Sequence, residues 1–469
     1  MRRLLATLLM AFTMYTPIFA QTCQLTLQEL QQNRGVPPKE INPTEGPHTC
    51  GFLKFSWRAF LALNWPAVWS FDRNNASRQT RALPDTSKMI GQGLPGDPTV
   101  WDLFQPNWYI FTANNPPAGG FVGWNKDSAL PSACGQLVQA NAAKLTPAQR
   151  SSLKILSSLS KFDSMPGVSQ ANSAAPLIDQ NGFYARYEIR TSFETFNYIV
   201  GNRFYLASAQ QNQTFTFPVQ SGDKPGAIFV KAAWKVLTDE EEKSGRFHTA
   251  RAFMFTPSSP SVQNTCVGPV SVGLVGLHIV QKTAAFPKWL WATFEHVDTT
   301  PPDPANPGTQ SWQFFKTGST KPLSKPTCPT AMQPCQDWQP TSRHLNDATG
   351  GPTQAVRTNS IPQSLNQPAL DQINESAVTI LRQINPKSVW QFYRLVEAQW
   401  EQPATSTGFF PPTKVANMTM ETYTQRGSCM ACHSGAVAAD ETTPSDFTFE
   451  LILGWRPTVI PVPTPSPVP

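Results

Sequence analysis

Apolar residues at helical spacing mark the first strong element of this chain. They run from Phe52 to Trp65, include three Phe and two Trp, and end at Pro66, which predicts a buried helix. Thr146-Pro147 is typical of a helix start, with Thr146 as N-cap and Pro147 in the first turn. Shorter or weaker patterns predict further helices over 25–32, 98–104 and, from the Thr146 start, 146–162.

From Phe183 onward the hydrophobic period changes to two. Apolar and polar residues alternate along Phe183–Arg190, as on a half-buried strand, and four further strands are predicted before residue 300. The predicted strands cover 183–190, 227–237, 247–255, 270–282 and 289–297. A helix is predicted at 193–205, and the acidic run 239–243 predicts a solvated turn. Neighbouring strands with few helices between them favour an antiparallel sheet in an α+β body.

The last third of the chain begins with a long loop. Residues 301–368 are rich in Pro, Thr, Ser and Asn, while 373–384 has helical spacing and 389–400 fits a helix or a strand. A helix is predicted over 419–433. The predicted fold class is therefore α+β: an antiparallel-strand-rich body with peripheral helices and long Pro-rich loops, with a C-terminal helical segment packed on it. The predicted units are 21–405 (body), 406–457 (C-terminal segment) and 458–469 (Pro-rich disordered tail).

Composition and charge limit the classes of function. The 469 residues are 40% hydrophobic with 14 Trp and 29 Phe, enough for a large core. A formal charge of +6, spread evenly, argues against nucleic acid or an anionic membrane as partner. Arg2, Arg3 and the apolar run Leu4–Phe19 are typical of a secretory signal over 1–20. No later apolar run is long enough to span a bilayer, so we expect a periplasmic or secreted chain without a transmembrane segment.

The most specific motif is Cys429-Met430-Ala431-Cys432-His433. C-x-x-C-H is the attachment sequence of c-type haem, in which both thiols add to the vinyl groups and the histidine ligates the iron. A thioredoxin-like dithiol would need a βαβ context early in a domain. A zinc site would need further ligands nearby. The sequence therefore predicts one covalent haem c, held by Cys429 and Cys432, with His433 as proximal iron ligand.

Six cysteines remain outside this motif. An even number in an exported chain suggests up to three disulfides. Closeness in sequence favours Cys23–Cys50 and Cys328–Cys335, which leaves Cys134 with Cys266.

Several segments together resemble a family of large single-haem bacterial proteins grouped as cytochrome c family proteins. They are 60–66 (FLALNWP), 277–283 (LHIVQKT), 291–298 (WATFEHVD), 428–433 (SCMACH) and 445–449 (SDFTF). The resemblance covers about residues 50–455. It implies a periplasmic haem c and electron transfer, and it brings no substrate and no distal iron ligand.

The distal ligand has several candidates upstream of the motif, since no Met, His or Lys follows His433. His278 and His296 lie on predicted strands, and each can equally be a hydrogen-bonded core histidine. His248 is a weaker candidate. Met418 and Met420 would lie roughly 14–16 Å along a continuous helix from Cys429, too far to reach the iron, unless Gly427 breaks the helix.

Three functions stay open on the sequence alone. The first is a periplasmic monohaem cytochrome that passes single electrons to or from a partner protein. The second is a peroxidase- or oxygenase-like haem enzyme with an open distal side, in which His278 or His296 moves protons. The third is a secreted ligand-binding protein whose haem serves structure or sensing.

Overall fold

The architecture comes from a computed structural model of the chain. It describes residues 23–42, 49–75, 78–111, 123–127, 130, 132–156, 176–256, 265–321, 323, 343, 345, 351–358, 361, 367–401 and 414–456. The predicted signal, the predicted tail and the predicted Cys328–Cys335 pair lie outside the described residues. Within the described part of the chain, no helix has the length and apolar character needed to cross a membrane.

One sheet organises the described chain, and most of its strands are antiparallel. The strands are β1 Gln105–Pro106, β2 Lys154–Leu156, β3 Arg186–Thr191, β4 Ile228–Val236, β5 Thr249–Thr256, β6 Thr265–Gln281, β7 Leu290–His296 and β8 Tyr393–Gln399. The long strand β6 lies at the centre. One of its edges pairs with β4, and the other pairs first with β5 and then with β7. Only β2, on β5, pairs in parallel among the described strands.

Helices surround this sheet, so the predicted α+β class with an antiparallel body is confirmed. They are α1 Leu27–Asn33, α2 Cys50–Leu63, α3 Asn107–Ile110, α4 Ser132–Asn141, α5 Pro147–Ser151, α6 Phe193–Gly201, α7 Ala207–Gln210, α8 Asp239–Lys243, α9 Gln367–Ile384 and α10 Cys429–His433. Short 3-10 turns occupy Trp101–Leu103, Ala142–Lys144, Val389–Phe392 and Phe449–Leu453.

The aromatic helix α2 packs on one face of the sheet. Phe60 stacks on Phe294 of β7 with ring centroids 4.3 Å apart. Trp57 donates its indole N–H to the side chain of Asn374 on α9. Burying these rings supplies much of the core on this side, because each aromatic side chain removes a large apolar area from water.

The C-terminal segment 414–456 covers the opposite face. The Tyr187 hydroxyl on β3 donates to the main-chain oxygen of Thr419 (2.7 Å), and the Met418 N–H donates to the Glu295 carboxylate on β7 (2.6 Å). Side chains alternate between the faces of a strand, so residues of odd number on β3 and β7 reach this segment.

Two predicted helices are wrong in part. The helix predicted over 146–162 ends at Ser151, and Lys154–Leu156 instead forms β2, because pairing with β5 and burial of Lys154 override local propensity. The helix predicted over 419–433 is helical only in α10. Hydrogen bonds from 417–419 to the sheet hold the preceding stretch as turns.

Two of the predicted disulfides are present. Cys23 bonds Cys50, and Cys134 bonds Cys266 across 132 residues of sequence. The first joins the N-terminal segment to the start of α2. The second joins α4 to β6.

Candidate functional site

The motif forms a short, capped helix at the edge of the sheet. The Ser428 side chain accepts from the Ala431 N–H (3.0 Å), as an N-cap does. The Met430 N–H donates to the Gln399 side chain on β8 (2.9 Å). Cys429 and Cys432 are half-buried and are not joined in a disulfide, unlike the other four described cysteines. The chain thus presents two thiols one helical turn apart.

A main-chain carbonyl orients His433. Its Nδ1 lies 2.9 Å from the oxygen of Phe447, and because a carbonyl only accepts, Nδ1 carries the proton. The neutral ring therefore keeps its lone pair on Nε2. The ring also packs on Trp291 and Phe449, with centroids 4.5 and 5.0 Å away. Metal-ligating histidines are typically held in this way, by a carbonyl on the second nitrogen.

The loop that supplies this carbonyl is strained and firmly held. Asp446 and Phe447 have φ of 53° and 65°, in the left-handed region that non-glycine residues occupy at a cost of about 1–3 kcal/mol each. The Asp446 carboxylate forms an ion pair with Lys282 and accepts from the Phe217 N–H (2.8 Å). The Trp289 indole donates to the Asp446 main-chain oxygen (2.9 Å). These three contacts hold Phe447 where its oxygen meets His433.

An apolar cavity of about 720 Å³, mouth included, lies against the motif. Cofactor pockets are lined mainly by apolar and aromatic groups. The lining residues are Ile189, Phe229, Lys231, His278, Val280, Trp289, Trp291, Ala292, Cys429, His433, Phe447, Thr448, Phe449 and Glu450. Seven of these come from strands β3, β4, β6 and β7, so the sheet forms one wall and the C-terminal segment forms another.

His278 is the predicted distal candidate that the fold brings to this cavity. It lies opposite Lys231 on β4 and Thr293 on β7. Its Nε2 is 3.1 Å from the Glu421 carboxylate, which also accepts from the Asn417 N–H (3.0 Å). The cavity wall therefore includes His278, which is held by the Glu421 carboxylate, together with Cys429 and His433.

His296 is not brought to this cavity. It is fully buried, and its ring stacks on Phe247 with centroids 4.2 Å apart. Nε2 donates to the Arg246 carbonyl (3.1 Å), and Nδ1 accepts from the Asp298 N–H (3.2 Å). Burial lowers the pKa of His296 to about 4, although the negative charge of Asp298 acts to raise it. These contacts are those of a structural core histidine.

The remaining candidates lie elsewhere. Met418 and Met420 are buried in a cluster with Tyr187 and Phe314, and neither lines the cavity. His248 packs among tryptophans on the other face of the sheet.

Three contributors escaped the sequence analysis. Phe447 acts through its main-chain oxygen, which no side-chain pattern reveals. Lys231 is an isolated polar residue in an apolar strand, and that exception could have marked it as facing a site. Glu421 meets His278 only because 417–424 folds as turns.

Among the described residues, no three or more His, Cys, Asp and Glu side chains group as they would to hold a metal ion.

Comparisons with known proteins identify no relative of this chain. No protein-family model matches the chain, and neither a curated protein nor a solved structure matches it significantly.

Proposed function

We propose that this chain is a c-type cytochrome that holds one haem covalently through Cys429 and Cys432 and transfers single electrons to or from a partner protein. The observation that carries the proposal is the meeting of two thiols and an oriented imidazole at one apolar, aromatic cavity. When bound, haem iron supplies reversible one-electron chemistry. The resemblance to large single-haem cytochromes points in the same direction.

The donor set fits this cofactor. Thiols and an imidazole are the groups that c-type attachment uses, and Trp291, Phe449 and Trp289 provide flat apolar surface beside them. His433 would ligate the iron through Nε2, since Nδ1 is committed to Phe447. The aromatic walls would exclude water, which favours an apolar ring.

An exported location accompanies the proposal. Cys23–Cys50 and Cys134–Cys266 support folding in an oxidising compartment such as the periplasm, where disulfides persist. The basic and apolar residues at the N-terminus support the same location.

The test is expression with a competent c-haem maturation system. The purified protein should gain the mass of one haem that survives denaturation, and its pyridine haemochrome should show a c-type α-band. The Cys429→Ala/Cys432→Ala variant should lose both signals. The Ser311→Ala variant, changed at an exposed serine outside the cavity, serves as a control and should keep them. A colourless wild-type protein would overturn the proposal.

A haem enzyme is the second candidate, and the His278–Glu421 pair at the cavity is the observation that favours it. A histidine held by a carboxylate is a typical proton carrier. His278→Ala in the haem-loaded protein separates the two functions. Loss of the low-spin absorption would mean that His278 ligates the iron, as expected for an electron carrier. Unchanged spin state with reduced turnover of peroxide and a dye would support the enzyme.

A further inference from the structure

A second cavity opens on the other face of the sheet and has no part in the proposed cytochrome function. It measures about 1,280 Å³ with its open mouth, and its rim includes the loop 91–98. His248, at the start of β5, lies in its wall. Glu188 and Trp234, which hydrogen-bond to each other behind His248, point away from Tyr187 and Thr419 because side chains alternate along β3 and β4. This cleft and the apolar cavity are therefore separated by the sheet.

The His248 side chain is fixed by Asp102. Its Nε2 is 2.9 Å from the Asp102 carboxylate, which also accepts from Lys154 (2.8 Å) and from the N–H and hydroxyl of Thr99 (2.9 Å each). Burial alone would raise the pKa of Asp102, but Lys154 and His248 bring it well below its usual range. The ionised carboxylate only accepts, so Nε2 carries the proton. The second ring nitrogen, Nδ1, is hydrogen-bonded to no described residue.

A buried charge network lies behind this pair. Lys154 also contacts Glu188 (2.7 Å), which pairs with Arg190 (2.7 Å). The Lys154 ammonium lies 4.7 and 4.6 Å from the ring centroids of Trp101 and Trp234. Burying four charges is costly, and an apolar core of equal volume is often as stable. The haem site uses none of these groups, so their retention around His248 points to a role in this cleft.

The chemistry of the lining indicates the kind of ligand. Four formally charged residues line the cleft, two acidic and two basic, so the wall has no net charge: Asp97, Glu242, Arg251 and Lys387. The Ser271 hydroxyl is buried without a hydrogen-bond partner among the described residues. Trp390 and Phe247 add aromatic surface. A wall without net charge that offers an imidazole nitrogen, a hydroxyl and aromatic rings matches a neutral ligand that carries several hydroxyl groups.

We propose that this cleft binds a neutral, multiply hydroxylated small molecule of the sugar or polyol class, with one ligand hydroxyl hydrogen-bonded to His248 Nδ1 and another group bonded to Ser271. The site is independent of the haem, because His433 and Cys429 lie across the sheet.

The experiment is saturation-transfer NMR on the purified holoprotein, with glucose and glycerol as neutral probes and gluconate and glucosamine as charged comparators. Saturable binding of a neutral probe is expected. Ser271→Ala and His248→Phe should each weaken it about tenfold, the loss expected for one buried hydrogen bond. Ser311→Ala, an exposed serine outside this cleft, is the matched control and should bind as the wild type does.

Three outcomes would overturn the inference. The first is the absence of saturable binding for both neutral probes. The second is equal affinity in wild type and Ser271→Ala, and the third is a preference for a charged comparator. If His248→Phe does not fold, Ser271→Ala alone tests the inference. This variant removes a buried hydroxyl that has no hydrogen-bond partner among the described residues, so it should fold.

Discussion

Gly276 of β6 and Thr419 of the C-terminal segment approach so closely that a Cβ on Gly276 would lie 2.1 Å from the Thr419 hydroxyl oxygen. The side-chain atoms of Asn417 lie at 3.0–3.2 Å from the same point. Only glycine permits this contact, because real Cβ atoms do not approach other heavy atoms below about 3 Å.

Gly276→Ala should therefore lift residues 417–419 from the sheet. We expect a loss of about 1–3 kcal/mol in the free energy of unfolding, as for overpacked cores. Urea denaturation measures it. Gly135→Ala, in helix α4 with open space around its Cα, is the matched control and should be neutral or slightly stabilising. Equal stability of the two variants would contradict the close packing.

Asp446→Ala tests the loop that orients His433. The change removes the partner of buried Lys282 and the acceptor of the Phe217 N–H, so we expect a loss of about 3 kcal/mol by urea denaturation. Asp223→Ala, which breaks an exposed ion pair with Lys39, should leave the unfolding midpoint unchanged.

The same variant should alter the haem-loaded protein. A looser Phe447 carbonyl makes the His433 imidazole a poorer donor, and the midpoint potential should rise. An unchanged potential would mean that Asp446 does not position His433.

His296 should give the protein an acid-sensitive stability. Its pKa is about 4 when folded and near 6.5 when unfolded, so the unfolded chain binds the extra proton between these values. The contribution is fully present above pH 6.5 and is lost as pH falls toward 4. Between pH 7 and pH 5 it amounts to about 2 kcal/mol. Urea unfolding at both pH values should show a smaller difference for His296→Gln than for wild type; an equal difference would contradict burial of the neutral ring.

The two disulfides should differ in their contribution. Cys134–Cys266 closes a loop with a sequence separation of 132, and Cys23–Cys50 one of 27. Chain entropy gives about 5 and about 3.5 kcal/mol, respectively. Urea denaturation of the paired Cys→Ser variants should therefore rank Cys134→Ser/Cys266→Ser as the less stable. The reverse ranking would show that local packing around Cys23 outweighs loop closure.

Local patterns predict a helix or a strand correctly when the residues that become buried are spaced as that element requires. The aromatic repeat of α2 and the apolar runs of β4 and β6 each mark a buried element, so its type and approximate bounds follow from the residues. They could not predict β2, because burial of Lys154 depends on Asp102 and Glu188, which are distant in sequence.

The candidate site also combines features that local patterns predict with features that depend on distant contacts. Alternation places His278 on one side of its strand, but what covers that side depends on the turns at 417–424. His278 and His296 have equivalent local patterns. Tertiary packing alone places His278 in the wall of the cavity and His296 in the core. The haem motif is different, since its chemistry lies in adjacent residues.

The cover that residues 414–456 form over the sheet also constrains the order of folding. The Cys23 N–H donates to the side chain of Gln372, 349 residues later in the chain. The Tyr187 hydroxyl donates to the main-chain oxygen of Thr419, 232 residues later. Such distant pairs close slowly because the intervening chain must first be ordered. We therefore expect the segment with the two thiols to dock late, after the sheet has formed.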